Sequence, residues 1–194
     1  MTGRPPEGAS ESHSEAVPDP RVELVEGTTR IDDLGEFLDA IGSIREATGA
    51  VVQAFDADLV VSADQLRCAV RLAARSIARG EAIAHDPAVE ILLYAAGRRQ
   101  IERALELGVS EGNARVVAVV ADFGAVPGSD RPSGDVDGAV ASLATLLEPT
   151  GTLGAFDETA VRSFYGVTDR ELAATDGDLS DVVRERVALL DVEK

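Results

Sequence analysis

Residues 115–123 read Arg-Val-Val-Ala-Val-Val-Ala-Asp-Phe, the most strand-like run in the chain. Valine dominates this run, and β-branched residues favour extended backbone. Alternating or short apolar runs predict further strands at Arg21–Glu26 and Ala50–Phe55. Val89–Ala96 (VEILLYAA) is a fourth apolar run, followed by Gly97, and is predicted to be a buried strand.

Apolar residues at helical spacing predict several helices around these strands. The clearest begins at Ser62, which forms a capping box with Gln65, and reaches about Arg79. Others are predicted at 31–41, after Gly97, at 140–147, at 157–165, at 169–174 with Thr168 as cap, and after a cap at Ser180. Few strands and many helices indicate the α/β (α+β) class, with a small mixed sheet packed with several helices.

The domain organisation is read from composition. Residues 1–20 are rich in Pro, Glu, Ser and Gly and are predicted to be a disordered acidic tail. Residues 21–194 are predicted to form a single domain, because hydrophobic residues make up 45% of the 194-residue chain. The chain shows no apolar run of about 18 residues and no apolar segment at its start, so we expect neither a membrane span nor a signal peptide. We therefore expect the protein to be cytoplasmic.

The charge balance is strongly acidic, with 35 Asp and Glu against 18 Lys and Arg and a net charge of -17. Lys194 is the single lysine, and this combination is typical of proteins from salt-rich cytoplasm, where carboxylates hold water and salt screens their repulsion. The missing lysines exclude a P-loop, a protein-kinase active site and Schiff-base chemistry. Clustered arginine is therefore the informative feature.

Four arginines, Arg67, Arg71, Arg75 and Arg79, recur every four residues on the predicted helix after Ser62. Successive i+4 positions drift only about 40° around a helix, so the four form one basic stripe. Two interpretations remain open. The stripe is either a solvated face paired with carboxylates elsewhere, or a surface for a polyanion or an acidic partner.

The residues Gly97-Arg98-Arg99-Gln100 stand where the predicted strand 89–96 would pass into a helix. A helix start has free N–H groups and the positive end of the dipole, so two arginines there would call for a bound phosphate or carboxylate. The alternative is a surface ion pair between Arg98 and Glu102, which would contribute little.

Candidates for catalysis and metal binding are few. His13 and His85 have no partners at ligand spacing, and Cys68 is the single cysteine, in the middle of a predicted helix. No nucleophile–base pattern is present. We therefore expect no catalytic residues, no metal and no cofactor.

The segment Glu90–Val109 resembles the family of small kinase-binding subunits of the KEOPS complex, to which the animal PRPK-binding protein belongs. Members have a helix like 62–79, then a strand, then a G-x-R-Q-I and A-x-x-x-x-G pattern, which this chain matches at Gly97, Arg99, Gln100, Ile101, Ala104 and Gly108. The resemblance extends loosely over Arg21–Leu190 and departs in the tail, the loop 127–134 and the acidic surface.

This resemblance implies a non-catalytic subunit in the modification of tRNA to threonylcarbamoyladenosine. Such a subunit binds the small atypical kinase/ATPase of the complex, contacts the other KEOPS subunits indirectly, and holds the 3′ CCA end of tRNA. No membrane partner is implied. Two alternatives stay open: a small enzyme acting on an anionic substrate through Cys68 or His85, or a plain protein-interaction domain.

Two sets of site residues follow from joining this implication to the patterns above. The tRNA end is predicted to contact Arg98, Arg99 and Gln100, with support from Arg71 and Arg75. The kinase is predicted to contact Val183, Val187 and Leu190, an i, i+4, i+7 apolar stripe on the last helix. The competing interpretation is that this stripe packs on its own domain.

Overall fold

A computed structural model describes residues 17–192 of the chain. Its strands are β1 (Val22–Ile31), β2 (Val51–Asp56), β3 (Gly112–Ala121) and β4 (Glu148–Pro149). Its helices are α1 (Leu34–Thr48), α2 (Ala63–Ala78), α3 (Pro87–Ala96), α4 (Ile101–Ala104), α5 (Val136–Leu143), α6 (Glu158–Tyr165), α7 (Asp169–Ala174) and α8 (Leu179–Val192). The predicted tail falls almost entirely on residues 1–16, outside the described residues.

The strands form one sheet in the order β2-β3-β1-β4, and every neighbouring pair is antiparallel. The strands β1 and β2, which α1 connects, run in the same direction with β3 between them. This is the split β-α-β arrangement of ferredoxin-like folds. The α+β class is confirmed. The sheet is antiparallel rather than mixed because β3 separates the two strands that would otherwise pair in parallel.

Both faces of the sheet are covered, which explains the uninterrupted apolar run in β3. One face packs against α1 and α5, and contributes Val52, Ala54, Val116, Ala118 and Val120 to a core cluster. The other face packs against the helices inserted between β2 and β3 and those that follow β4, and contributes Val51, Phe55, Val117, Val119 and Ala121. The inserted helices therefore bury the sheet face that a minimal ferredoxin-like domain would leave exposed.

The prediction of a strand at 89–96 was wrong, because these residues form α3. The Asp86 side chain accepts a hydrogen bond from Ala88 N–H, Pro87 occupies the first turn, and Gly97 ends the helix at φ 59°. A helix buried on all sides carries no apolar/polar periodicity, so its pattern cannot be told from that of a buried strand. The Asp-Pro start and the Gly end were the signals of a helix.

The helix predicted from Ser62 is confirmed, and the Ser62 hydroxyl accepts from Gln65 N–H at 3.2 Å. The helix predicted after Gly97 is only one turn, α4, continued by a 3₁₀ turn at Leu105–Leu107. The last helix begins earlier than predicted. Asp178 rather than Ser180 caps it, in a reciprocal pair with Asp181 in which each side chain accepts from the other's N–H.

Two partly buried charged side chains, Glu26 and Arg115, join the sheet to the segment that leads into α6. The Glu26 carboxylate accepts from Thr152 N–H at 2.6 Å and Leu153 N–H at 2.7 Å. The Arg115 guanidinium donates to Thr152 O at 2.9 Å, to Ala155 O at 2.7 Å, and to the carboxylate of Asp58. Arg115 thus uses its N–H donors for contacts within the domain, and its role is to stabilise the fold.

Asp122, at the end of β3, holds the long loop that precedes α5. Burial alone would raise the pKa of this carboxyl. Hydrogen bonds from Gly134 N–H, Gly124 N–H and the Ser133 hydroxyl outweigh burial, so the pKa of Asp122 is lowered. The charged form is therefore part of the folded state.

Candidate functional site

Arg98 lies at the C-terminal end of α3, where Gly97 adopts the left-handed conformation. Gly97 N–H donates to Tyr94 O at 2.9 Å and Arg98 N–H donates to Leu93 O at 3.0 Å. These two bonds form a Schellman motif. A cation at this end of a helix is favoured by the dipole. The prediction that Arg98 stands at a helix start is therefore wrong. Without an unfavourable interaction with the helix dipole, the position of Arg98 gives no reason to expect a bound anion.

The Arg98 side chain makes a different arrangement that the sequence did not reveal. Its guanidinium donates to Phe164 O and stands 5.0 Å from the centre of the Phe164 ring. Its Nε is buried and has no hydrogen-bond partner among the described residues. The guanidinium and the ring line an open cavity of about 400 Å³, together with Leu59, Arg103, Glu106, Ala160 and Ser163.

A buried polar network holds this cavity in place. The Gln65 amide donates to the Tyr165 hydroxyl at 2.6 Å and to Ala95 O at 3.0 Å, and the Tyr165 hydroxyl donates to Ala95 O at 2.9 Å. Burial raises the pKa of Tyr165, so the hydroxyl stays protonated and keeps donating. The network ties α2, α3 and α6 together beneath Phe164, whose ring meets that of Tyr165 edge-on at 4.7 Å.

Arg99 and Gln100 follow Arg98 as exposed residues, and neither has a side-chain partner within residues 17–192. They lie between the end of α3 and the single turn of α4. Both can reach a ligand without breaking an internal contact. Sequence reasoning found these residues but missed Phe164 and Tyr165, although adjacent aromatics are conspicuous in a chain with 4% aromatic residues.

The arginine stripe on α2 is exposed throughout but divides into two halves. Arg75 and Arg79 approach Asp191 of α8 at 3.3 and 3.7 Å, and the Asp191 side chain is only 13% exposed. Arg67 and Arg71 form no ion pair or hydrogen bond with any described residue. The solvated-face interpretation thus fits the C-terminal half, whereas the N-terminal half keeps free charge.

Arg71 does not share a cavity with Arg98. It lines an open groove of about 620 Å³ between α2 and α8, with Asp64, Cys68, Asp181, Arg184 and Glu185. The structure therefore brings Arg98 close to Phe164 and Arg103 but places Arg71 in a separate, mostly charged surface. The predicted tRNA-binding set is two surfaces rather than one.

The apolar stripe on α8 faces inward. Val183 and Val187 are 0% exposed and Leu190 is 3% exposed, because α8 packs on α2 and α3. Their assignment to a kinase interface is corrected: these side chains fill the core of their own domain and cannot touch a partner while α8 is docked. Gly97 makes this docking close, since a Cβ there would stand 3.2 Å from Arg186 O.

Exposed apolar side chains occur instead on the outer side of α8 and on the α4 turn. Leu189 is 44% exposed and lines a small cavity with Gly97. Gly97 itself precedes Ile101 by four residues. Ile101 is 43% and Leu105 57% exposed, and their i, i+4 spacing places them on one side of the turn. We call these three exposed apolar side chains together the Leu189 surface: Ile101, Leu105 and Leu189.

The residues weighed for catalysis do not converge. Cys68 lines the charged groove between α2 and α8, whereas His85 is exposed in the connection from α2 to α3. Within residues 17–192, no group of three or more His, Cys, Asp or Glu side chains is arranged to hold a metal ion. In the same part of the chain, every helix is too short or too polar to cross a membrane.

Comparison with known proteins gives one family. The sequence model of the family described as kinase binding protein CGI-121 matches residues 33–191. The match begins just before α1 and ends in α8, so it includes the Arg98 cavity, the arginine stripe and the Leu189 surface. A search of curated proteins finds no match.

Proposed function

Since the chain belongs to the CGI-121 family of kinase-binding proteins, we propose that it is the non-catalytic subunit of a KEOPS complex that binds its small atypical kinase/ATPase and recruits tRNA by the 3′ CCA end. The family match over residues 33–191 carries this proposal, because it spans nearly the whole described domain. The other KEOPS subunits are reached through the kinase, and the proposed setting is a salt-rich cytoplasm.

The proposed kinase contact is the Leu189 surface. Ile101, Leu105 and Leu189 are the large apolar side chains that α4, its 3₁₀ continuation and α8 leave exposed. In molar salt the Debye length is about 3 Å, so a lasting contact must depend on apolar burial more than on charge. This surface keeps α8 in the interface while Val183, Val187 and Leu190 hold the helix to its own domain.

The proposed site for the RNA end is the Arg98 cavity with Arg99 and Gln100 at its rim. A base can stack on the planar guanidinium or the Phe164 ring, and exposed Arg99 can bind a phosphate or a base edge through forked hydrogen bonds. Arg71 remains a candidate for a separate phosphate contact. Arg75 is better explained by its ion pair with Asp191.

Co-purification at native salt tests the whole proposal. The tagged chain should retain the KEOPS kinase and tRNA, and the isolated chain should not hydrolyse ATP or modify tRNA when given ATP, threonine and bicarbonate. Turnover that survives removal of all kinase would contradict a non-catalytic role. Retention of an unrelated protein without the kinase would contradict the assignment to KEOPS.

Direct RNA binding separates 3′-end recognition from general charge attraction. Charge attraction to a single strand falls with a salt slope of about -0.7 per neutralised phosphate, whereas stacking persists at high salt. We expect intact tRNA to bind more tightly than tRNA trimmed of its CCA end, and Arg99→Glu to remove this difference. Arg30→Glu is the matched control, because Arg30 is exposed and, among the described residues, its side chain pairs with Asp32 alone. Equal binding of intact and trimmed tRNA would reject the site.

A further inference from the structure

β1 is paired along its full length on one side only. All 10 residues of Val22–Ile31 face β3. On the other side, Gly27 and Thr28 are the only residues of β1 that face a strand within the described residues 17–192, and that strand is the short β4. The sheet therefore has an incompletely covered edge on the N-terminal side of Gly27.

The direction of the backbone groups along β1 follows from one hydrogen bond. Asp122 N–H donates to Arg21 O at 3.0 Å, so odd-numbered residues direct their N–H and C=O groups to β3 and even-numbered residues direct theirs outward. Thr28 meets Glu148 of β4 there. The outward groups of Val22, Leu24 and Glu26 have no backbone partner within residues 17–192.

The open edge has a defined end and two different faces. It ends at Glu26, whose carboxylate holds the segment at Thr152. Val22 and Leu24 are half-buried on one face and pack against the larger core cluster. On the other face, Glu23 is half exposed.

The charge next to this edge is negative. The Arg21 guanidinium is occupied by a two-point contact with Asp137 at 2.6 and 2.9 Å. Glu23 is only 3.8 Å from the same guanidinium, in exposed positions where such a pair contributes little. Asp19 and Asp135 are also exposed. A strand added here would therefore meet apolar neighbours on one face and carboxylates on the other.

We propose that the Val22–Glu26 edge binds an extended segment of a partner protein in which apolar and basic residues alternate. Main-chain hydrogen bonds would extend the sheet by one strand. Directly opposed residues share a face, so apolar residues would lie beside Val22 and Leu24 and basic residues beside Glu23. A second copy of this chain fits less well, because its own edge is acidic and would bring carboxylates into contact range of Asp19 and Glu23. The Val22–Glu26 edge shares no residue with the Leu189 surface or with the cavity at Arg98.

The probe is a short synthetic peptide of alternating valine and lysine, added to the full chain while amide hydrogen exchange is followed residue by residue. The N–H groups of Val22, Leu24 and Glu26 should exchange fast in the free protein and slow down with peptide. Those of Glu23 and Val25 should be protected in both states. Two control peptides have the same composition without alternation, or glutamate in place of lysine, and should not produce this pattern.

Charge reversal tests the face assignment. Glu23→Lys should weaken binding of the valine–lysine peptide by about two- to five-fold and improve binding of the glutamate peptide. Glu46→Lys, at an exposed position of α1, should change neither. Equal binding of the peptide without alternation, or no protection at the even positions, would overturn the proposal. Protection that appears without peptide as protein concentration rises would show a second copy at the edge and overturn it as well.

Discussion

Neighbouring positions on α8 should separate the stability of the domain from kinase binding. Val187 is 0% exposed and Leu189 is 44% exposed, although they are two residues apart. Val187→Ala and Leu189→Gln therefore perturb the inner and outer faces of one helix. Leu38→Gln is the matched control, because Leu38 is 50% exposed on α1, across the sheet from α8.

The expected magnitudes follow from burial. Val187→Ala removes two buried methyl groups at about 0.8 kcal/mol each and leaves a cavity, so we expect a loss of about 2–3 kcal/mol of unfolding free energy. Typical domains have only about 5–15 kcal/mol in total. Val187→Asp would also bury a carboxylate, and we expect it to unfold the domain rather than produce a folded domain unable to bind.

Leu189→Gln should change the unfolding free energy of the free domain little and should weaken the complex with the kinase strongly. Complete burial of a leucine is worth about 1.5–3 kcal/mol, and somewhat less than half of that remains to be gained when a partner covers Leu189. An amide left without partners in the interface adds about 1–2 kcal/mol, so the total of about 1.7–3.3 kcal/mol should lower kinase affinity by roughly 15- to 300-fold.

Urea unfolding and kinase titration on the same preparations give the two readouts. We expect Val187→Ala to shift the unfolding midpoint and leave kinase affinity unchanged, Leu189→Gln to do the reverse, and Leu38→Gln to affect neither by more than about 1 kcal/mol. Loss of kinase affinity in Val187→Ala, with Leu189→Gln binding normally, would refute the assignment of inner and outer faces. Equal losses in Leu189→Gln and Leu38→Gln would refute a local contact.

Three further substitutions test the fold around the site. Gly97→Ala should cost about 1–2 kcal/mol or more, measured by urea unfolding, because its φ is 59° and a Cβ would press on Arg186 O at 3.2 Å; unchanged stability would mean that α8 does not pack so closely there. Arg115→Met should lose about 1–2 kcal/mol, because three contacts of a partly buried guanidinium are removed. Arg30→Met, at an exposed ion pair, should lose less than about 0.5 kcal/mol. Because the pKa of Asp122 is lowered by folding, its charge stabilises the protein above the unfolded pKa of about 3.9, and this contribution disappears as pH falls through the folded pKa. Asp122→Asn should therefore flatten the loss of stability measured below about pH 4, and an unchanged acid slope would contradict this role.

Local signals in the sequence were sufficient for two of the cap-defined helices and for the central parts of β1, β2 and β3. Ser62 with Gln65 and Thr168 with Glu171 predicted two helix starts that the structure confirms. The valine run of β3 predicted a strand, since β-branched residues act on the backbone of their own segment. These effects extend over a few residues and need no tertiary information.

The sequence by itself also indicated the family, through the pattern from Gly97 to Gly108. In the structure, Arg99 and Gln100 of this pattern are exposed. Only the tertiary structure decided which side of α8 is buried, because an apolar stripe looks the same whether its own domain or a partner covers it. The structure likewise decided that 89–96 is a helix, that Arg98 stacks on a ring 66 residues away in the chain, and that Asp191 neutralises half of the arginine stripe. Burial, ion pairing and stacking depend on segments distant in sequence, and their energies arise only once the chain has folded.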